Sequence, residues 1–127
     1  QWTSLLNKPV MSPIHEIISR LPCEFERIRL MKLAAGKSLR KHNDNIDQDI
    51  ENKQLIRLHV PIRTNKDVVF TIYDSDEDDV GQELNLKTGR YYYLDVTKPH
   101  SVSNNSNIDR YHLVVDCFVN DDLKAIL

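Results

Sequence analysis

From Leu55 to Ile62 the chain alternates without a break. Ile56, Leu58, Val60 and Ile62 fall on one side of an extended backbone, and Arg57 and His59 fall on the other. The same period of two recurs in Phe25 to Leu33, which closes at Ala34-Ala35-Gly36, and in Ser38 to Asp44, Val68 to Tyr73, Glu83 to Leu86 and Arg90 to Val96. It appears again in His100 to Ser103, after Pro99, and in the most apolar stretch, Arg110 to Val119. These segments predict about eight short strands at regular spacing with polar connections, the pattern of a sandwich or barrel. Only residues 12 to 21 carry a helical period. Ser12 caps, Pro13 fits the first turn, Ile14, Ile17, Ile18 and Leu21 form an apolar stripe, and Pro22 stops the helix. That stripe is expected to pack on the outside of a sheet. The polar stretch from Asn45 to Lys53 reads as a loop over the strand ends.

At 127 residues the chain is expected to be one domain, spanning residues 1–127 with its core in 24–119. A net charge of −2 gives no basic footprint for nucleic acid. No apolar run approaches the roughly 20 residues of a membrane span, and no signal peptide is visible, so the expectation is a cytoplasmic protein with no membrane partner. Cys23 and Cys117 lie far apart beside apolar residues and read as reduced and buried. The run Asp74-Ser75-Asp76-Glu77-Asp78-Asp79 begins like a calcium loop, but Asp79 stands where that loop needs Gly and Asn85 where it needs Glu. It reads as a solvated connection.

Candidate chemistry begins at His42-Asn43-Asp44. In a strand, residues two apart share a face, so an imidazole and a carboxylate there can hold one metal ion from one side. A second imidazole from another strand would complete the donor set of non-haem Fe(II) oxygenases. The pair alone decides nothing, since chance supplies a His-x-Asp in about half of chains of this composition. Arg110 adds weight. It opens the most apolar strand and shares a face with His112, Val114 and Asp116, and a buried guanidinium must find an anion. Asp116, Asp95 or a ligand carboxylate would serve. Arg57 and His59 repeat the theme, on the polar face of a strand whose other face is apolar.

The order His42-x-Asp44, His100 and Arg110 resembles the Fe(II)- and 2-oxoglutarate-dependent oxygenases. More closely it resembles the aspartyl/asparaginyl β-hydroxylase family, in its bacterial proline-hydroxylase-like branch. The resemblance lies in Arg29-Leu30-Met31-Lys32-Leu33-Ala34-Ala35-Gly36, Ile56 to Ile62, Gly89 to Asp95, Pro99 to Asn104 and Asp109 to Asp116, covering residues 29 to 116. It implies a mainly β, double-stranded β-helix (jelly-roll, cupin-like) with the N-terminal helix outside. It also implies Fe(II) on His42, Asp44 and His100, and 2-oxoglutarate as cosubstrate on Arg110 with Arg57 and His59. No side chain beyond the metal site would act as a catalytic acid or base. The implied reaction consumes O2, hydroxylates an amino acid or an aspartyl or asparaginyl side chain, and releases succinate and CO2. The vertebrate branch lacks the metal carboxylate that Asp44 supplies, and a hydroxyl-bearing position of that branch falls on Met31. The competing reading is a non-oxygenase cupin-like metal-binding or 2-oxoglutarate-sensing domain. Gly36 before His42, and His100-x-x-x-Asn104, echo cupin fragments, but cupins present His-x-His with a nearby Glu. The intact triad and Arg110 favour the oxygenase.

Overall fold

In the computed structural model, which describes residues 19–21, 23–44 and 55–126, the chain is mainly β. The strands are β1 (Phe25–Leu33), β2 (Ser38–His42), β3 (Leu55–Arg63), β4 (Val68–Ile72), β5 (Gln82–Leu84), β6 (Tyr92–Tyr93), β7 (His100–Asn104) and β8 (Arg110–Phe118), followed by helix α1 (Asp121–Ile126). They form two antiparallel four-stranded sheets, one in the order β1-β8-β3-β6 and the other in the order β2-β7-β4-β5. Every strand of one sheet is thus separated in sequence from its in-sheet neighbours by strands of the other, apart from the β4–β5 hairpin.

The predicted segments match these strands closely, with three differences. β2 ends at His42, two residues earlier than expected, and Asp44 lies beyond it with its N–H donating to the Val96 carbonyl at 2.9 Å. Of the segment expected from Arg90 to Val96, only Tyr92 and Tyr93 pair, opposite His59 and Leu58. Helix α1 was not expected. Its start is nonetheless chemically marked, since the Asn120 side-chain oxygen accepts the Leu123 N–H at 2.7 Å, as an N-cap does. The helix predicted over 12–21 and the loop over 45–53 fall largely outside the described residues, which show Ser19 and Arg20 as helical.

Two apolar clusters hold the fold. On the outer face of the first sheet, Ile56, Leu58, Val60, Leu113, Val115 and Cys117 pack against Leu21 and, from α1, Leu123. Between the sheets, Leu33, Val68, Phe70, Leu94, Val96 and Val102 form the second. The alternation in β3 therefore has an unusual sense. Its apolar side faces outward under a cover of helical residues, and Arg57 and His59 point into the space between the sheets, only 8% and 7% exposed. Both cysteines are free. Cys117 is buried and Cys23 is half-buried beside it, and burial pushes both thiols up.

Two connections fix the mouth of the sandwich. Gly36 has φ +73°, a conformation costly for any residue with a side chain, and closes the turn in which the Lys37 N–H donates to the Ala34 carbonyl. The Asp109 carboxylate accepts the Ala35 N–H at 2.9 Å, and this bond holds its carboxyl below the ordinary range. Asn104, at 1% exposure, donates to the Leu33 and Ile108 carbonyls and accepts from Ser106. It pins the β7–β8 turn to the end of β1. The acidic run makes a turn in which the Ser75 N–H donates to Asp78, and Lys41 caps the Asp76 and Asp78 carbonyls.

Because Leu113 is fully buried between β1 and β3, Leu113→Ala is expected to lower unfolding free energy by about 2–5 kcal/mol. Val80→Ala, at a side chain 85% exposed, is expected to change it by less than about 0.5 kcal/mol. Urea denaturation of the two variants measures the difference.

Candidate metal site and cavity

The cavity between the sheets has a volume of about 160 Å³. Its second-sheet wall is built by β2 and β7. The β2–β7 register slips between Leu39 and His42, so that Leu39 faces Val102 and His42 faces His100. The extra residue is a bulge, and it brings both histidine rings to the cavity with their centroids 4.4 Å apart. His42 and His100 are fixed in the same way. The Nδ1 of His42 bonds to the Arg40 carbonyl at 2.7 Å, and the Nδ1 of His100 to the Lys98 carbonyl at 2.9 Å. A carbonyl only accepts, so each Nδ1 carries the proton and each Nε2 is left as a lone-pair donor facing the cavity.

Asp44 completes the group. Its Oδ1 lies 3.3 Å from His42 Nε2 and 3.6 Å from His100 Nε2. Among the described residues this is the one trio of His, Cys, Asp or Glu whose ligand atoms converge, all within 4.8 Å of one another. With metal–ligand bonds of about 2.1 Å, three donors on one face of an octahedron sit roughly 3 Å apart. The trio therefore fits a divalent ion held from one side, with the other side open to the cavity. Phe70 stacks on His100 with ring centroids 5.5 Å apart, holding the ligand ring from behind.

The first-sheet wall carries the cations. Arg57 and Asp116 are direct cross-strand partners, joined by two bonds, Nε to Oδ1 at 2.7 Å and Nη2 to Oδ2 at 2.9 Å. The Nη1 of Arg57 reaches across the cavity to Asp44 Oδ2 at 2.6 Å. Arg27, more exposed, approaches Asp116 at 3.7 Å. Sequence reasoning placed Arg57 with a bound ligand. In the structure its guanidinium is committed to two carboxylates, with Asp116 as the chief cause of its raised pKa. Asp116, considered as a partner for Arg110, is taken by Arg57, and Asp95 bonds Thr97 instead.

Arg110 is 5% exposed, and its Nε is buried without a hydrogen-bond partner. Burial lowers its pKa to about 10, which leaves it charged at neutral pH. His59 and His112 also have both ring nitrogens buried and unpartnered, with ring centroids 6.1 Å apart. Burial is the main cause that lowers His59 to about 4 and His112 to about 2, and the nearby arginine charges lower both further. Both are therefore neutral at pH 7. Unpaired buried polar atoms are costly, and several of them facing one cavity mark a place where a polar ligand makes the missing bonds.

Sequence reasoning brought together His42, Asp44, His100, His59, Arg57 and Arg110, and all six line this cavity. It did not single out His112 or Arg29, which line it too. The signal was present, because His112 follows Arg110 by two and Arg29 follows Arg27 by two, each on a strand face already polar. Asn104, noted for its spacing from His100, serves the β7–β8 turn and not the metal trio.

A two-sheet antiparallel sandwich with a His-Asp-His trio opening on a cation-lined cavity defines a metal-competent binding protein or enzyme. Residues 3–119 match the family described as Aspartyl/Asparaginyl beta-hydroxylase. The chain belongs to this family, a class of hydroxylating oxygenases. No curated protein matches it significantly. Among the described residues no helix is long and apolar enough to cross a membrane.

Two outcomes are expected. Asp116→Asn frees Arg57 to close fully on Asp44, so metal affinity is expected to fall about 10- to 100-fold, read as Mn(II) binding by electron paramagnetic resonance. The second concerns pH. The unfolded chain protonates His59 and His112 below about pH 6.5, whereas the folded chain resists until about 4 and about 2. Stability is therefore fully present above about pH 6.5 and is lost as pH falls, by up to about 1.4 kcal/mol per pH unit for each ring. Urea midpoints of metal-free protein between pH 7 and 4 measure the slope, which His112→Gln is expected to reduce.

Proposed function

We propose that this protein is an Fe(II)- and 2-oxoglutarate-dependent dioxygenase built on a double-stranded β-helix, acting as a single domain on a free amino acid or on an aspartyl or asparaginyl side chain. The observation that carries the reading is the convergence of His42 Nε2, His100 Nε2 and Asp44 Oδ1 on one side of a cavity whose far wall holds the unpartnered Arg110. Family membership agrees with it. The strand orders β1-β8-β3-β6 and β2-β7-β4-β5 support the β-helix, in which the chain alternates between two sheets as it winds. Asp44 supports a three-ligand site of the proline-hydroxylase-like kind.

Iron held by these residues supplies O2 activation coupled to decarboxylation of the 2-oxo acid, so that substrate C–H, O2 and 2-oxoglutarate become C–OH, succinate and CO2. The chain's own tasks are binding, orientation and exclusion of water. His42, Asp44 and His100 occupy one face of the ion and leave three positions for small ligands. Arg57 holds Asp44 Oδ2, so Asp44 offers Oδ1 alone. Arg110 presents its guanidinium to the far carboxylate of the cosubstrate, where a charge-assisted pair replaces the bonds its buried Nε lacks. His59, neutral and unpartnered between Phe70 and His112, donates to the cosubstrate closer to the metal. Phe70, Val102 and Val114 keep the cavity apolar between these points.

Formation of succinate from 2-oxoglutarate, with Fe(II) and a panel of amino acids and peptides, tests the reading. His42→Ala is expected to abolish turnover, and undiminished turnover in that variant would sink the metal assignment. Arg110→Ala is expected to raise the 2-oxoglutarate concentration needed for half-maximal rate by about 10- to 100-fold with metal binding retained.

A further inference from the structure

One cation of the cavity is left over by this reading. Arg29 projects from β1 on the same face as Arg27 and Met31, and it lines the cavity. Its Nε is buried without a hydrogen-bond partner, and no described carboxylate lies within ion-pair distance. The other arginines of the cavity differ. Arg57 is matched by Asp44 and Asp116, and Arg110 by the far carboxylate of the proposed cosubstrate.

Register sets where Arg29 acts. Across the first sheet, Arg27, Asp116 and Arg57 share one row, and this row is at the metal end because Arg57 touches Asp44. The next row is Arg29, Val114 and His59. Arg110 lies two rows further, opposite Leu33, and four residues of strand separate Val114 from Arg110, about 13 Å of backbone. Arg29 thus stands beside the metal trio and Arg110 at the other end. A cosubstrate running from the metal to Arg110 leaves Arg29 facing the space where the carbon to be oxidised must lie. Beside it at the open edge are Met31 and Leu39, large apolar side chains 39% and 43% exposed.

We infer that Arg29 is the substrate anchor, and that the substrate of this enzyme carries a carboxylate on a short apolar body, the carboxylate on Arg29 and the body against Met31 and Leu39. The inference rests on the oxygenase reading and names the substrate class for that same cavity. An unpaired arginine half-shielded from water favours a carboxylate over an amide, because only the charged partner restores both of its fork-shaped hydrogen bonds. The carboxylate has two sources, the α-carboxylate of a free amino acid or the side chain of an aspartyl residue in a peptide.

The experiment uses the intact chain loaded with Zn(II), which is redox-inert, and 2-oxoglutarate, titrated by calorimetry with three sets of probes. These are free L-amino acids with aliphatic side chains, the corresponding amino-acid amides, and N-acetyl-aspartyl-amide peptides. Binding of acids with loss of affinity in their amides is expected, and the first and third sets distinguish the two sources. Arg29→Gln is expected to weaken the binding acid about 10- to 100-fold while 2-oxoglutarate affinity stays within about twofold, and Arg29→Lys to restore part of the loss. Amides binding as tightly as acids, no acid binding at all, or Arg29→Gln weakening 2-oxoglutarate as much as the acid would each overturn the inference. Failure of the wild-type protein to bind 2-oxoglutarate would instead remove the oxygenase reading and the inference with it. Thermal melting of both variants separates lost contacts from lost fold.

Discussion

The buried ion pair between Arg57 and Asp116 is the constraint on which the rest of the cavity depends. Both residues sit in the middle of a sheet, and each would be expensive to bury alone. Cross-strand register places them directly opposite, and the two-bond geometry offsets the desolvation. With Asp116 holding two edges of the guanidinium, Nη1 has one direction left, and in that direction lies Asp44. A residue outside any strand is thereby fixed by the most regular part of the fold. Metal-ligand geometry in the second sheet is dictated from the first.

This arrangement explains why the apolar clusters lie where they do. The inner face of β3 and β8 is occupied by Arg57, His59, Arg110, His112 and Asp116, so it cannot serve as the main core. The sheet buries its apolar side outward instead, under Leu21 and Leu123, and only the lower half of the sandwich, around Phe70, Val96 and Val102, closes in the ordinary way. A polar interior of this kind is stable only with its charges paired or its ligands in place, and that leaves Arg29, Arg110, His59 and His112 as the groups whose needs a bound molecule meets.

Strand positions were legible because period two survives wherever one face is buried, as it is in β3 and β8. The trio was legible because its residues stand at strand ends, where spacing in sequence translates into position in space. Three features were not legible. Arg57 was assigned to a ligand because no rule of spacing links it to Asp44, thirteen residues along but on the facing wall. Asp116 was one of several possible partners for Arg110, and only register decides among cross-strand pairs. The end of β2 at His42 depends on a backbone bond from Asp44 to Val96, a contact between distant segments that local pattern does not encode.

The bulge in β2 has a consequence for how this site tolerates change in chain length. Counted straight from Leu39, Lys41 would face His100; the additional residue moves His42 there and lets Lys41 reach out to the Asp76 and Asp78 carbonyls. Loss of one residue at this point would straighten the ladder and still leave the histidine opposite His100. On β7, paired without interruption to β4 from His100 to Asn104, the same loss would turn every following side chain to the other face. The iron-binding wall therefore has one strand that can absorb a length change and one that cannot, and drift among relatives should collect just before His42 and avoid the stretch after His100.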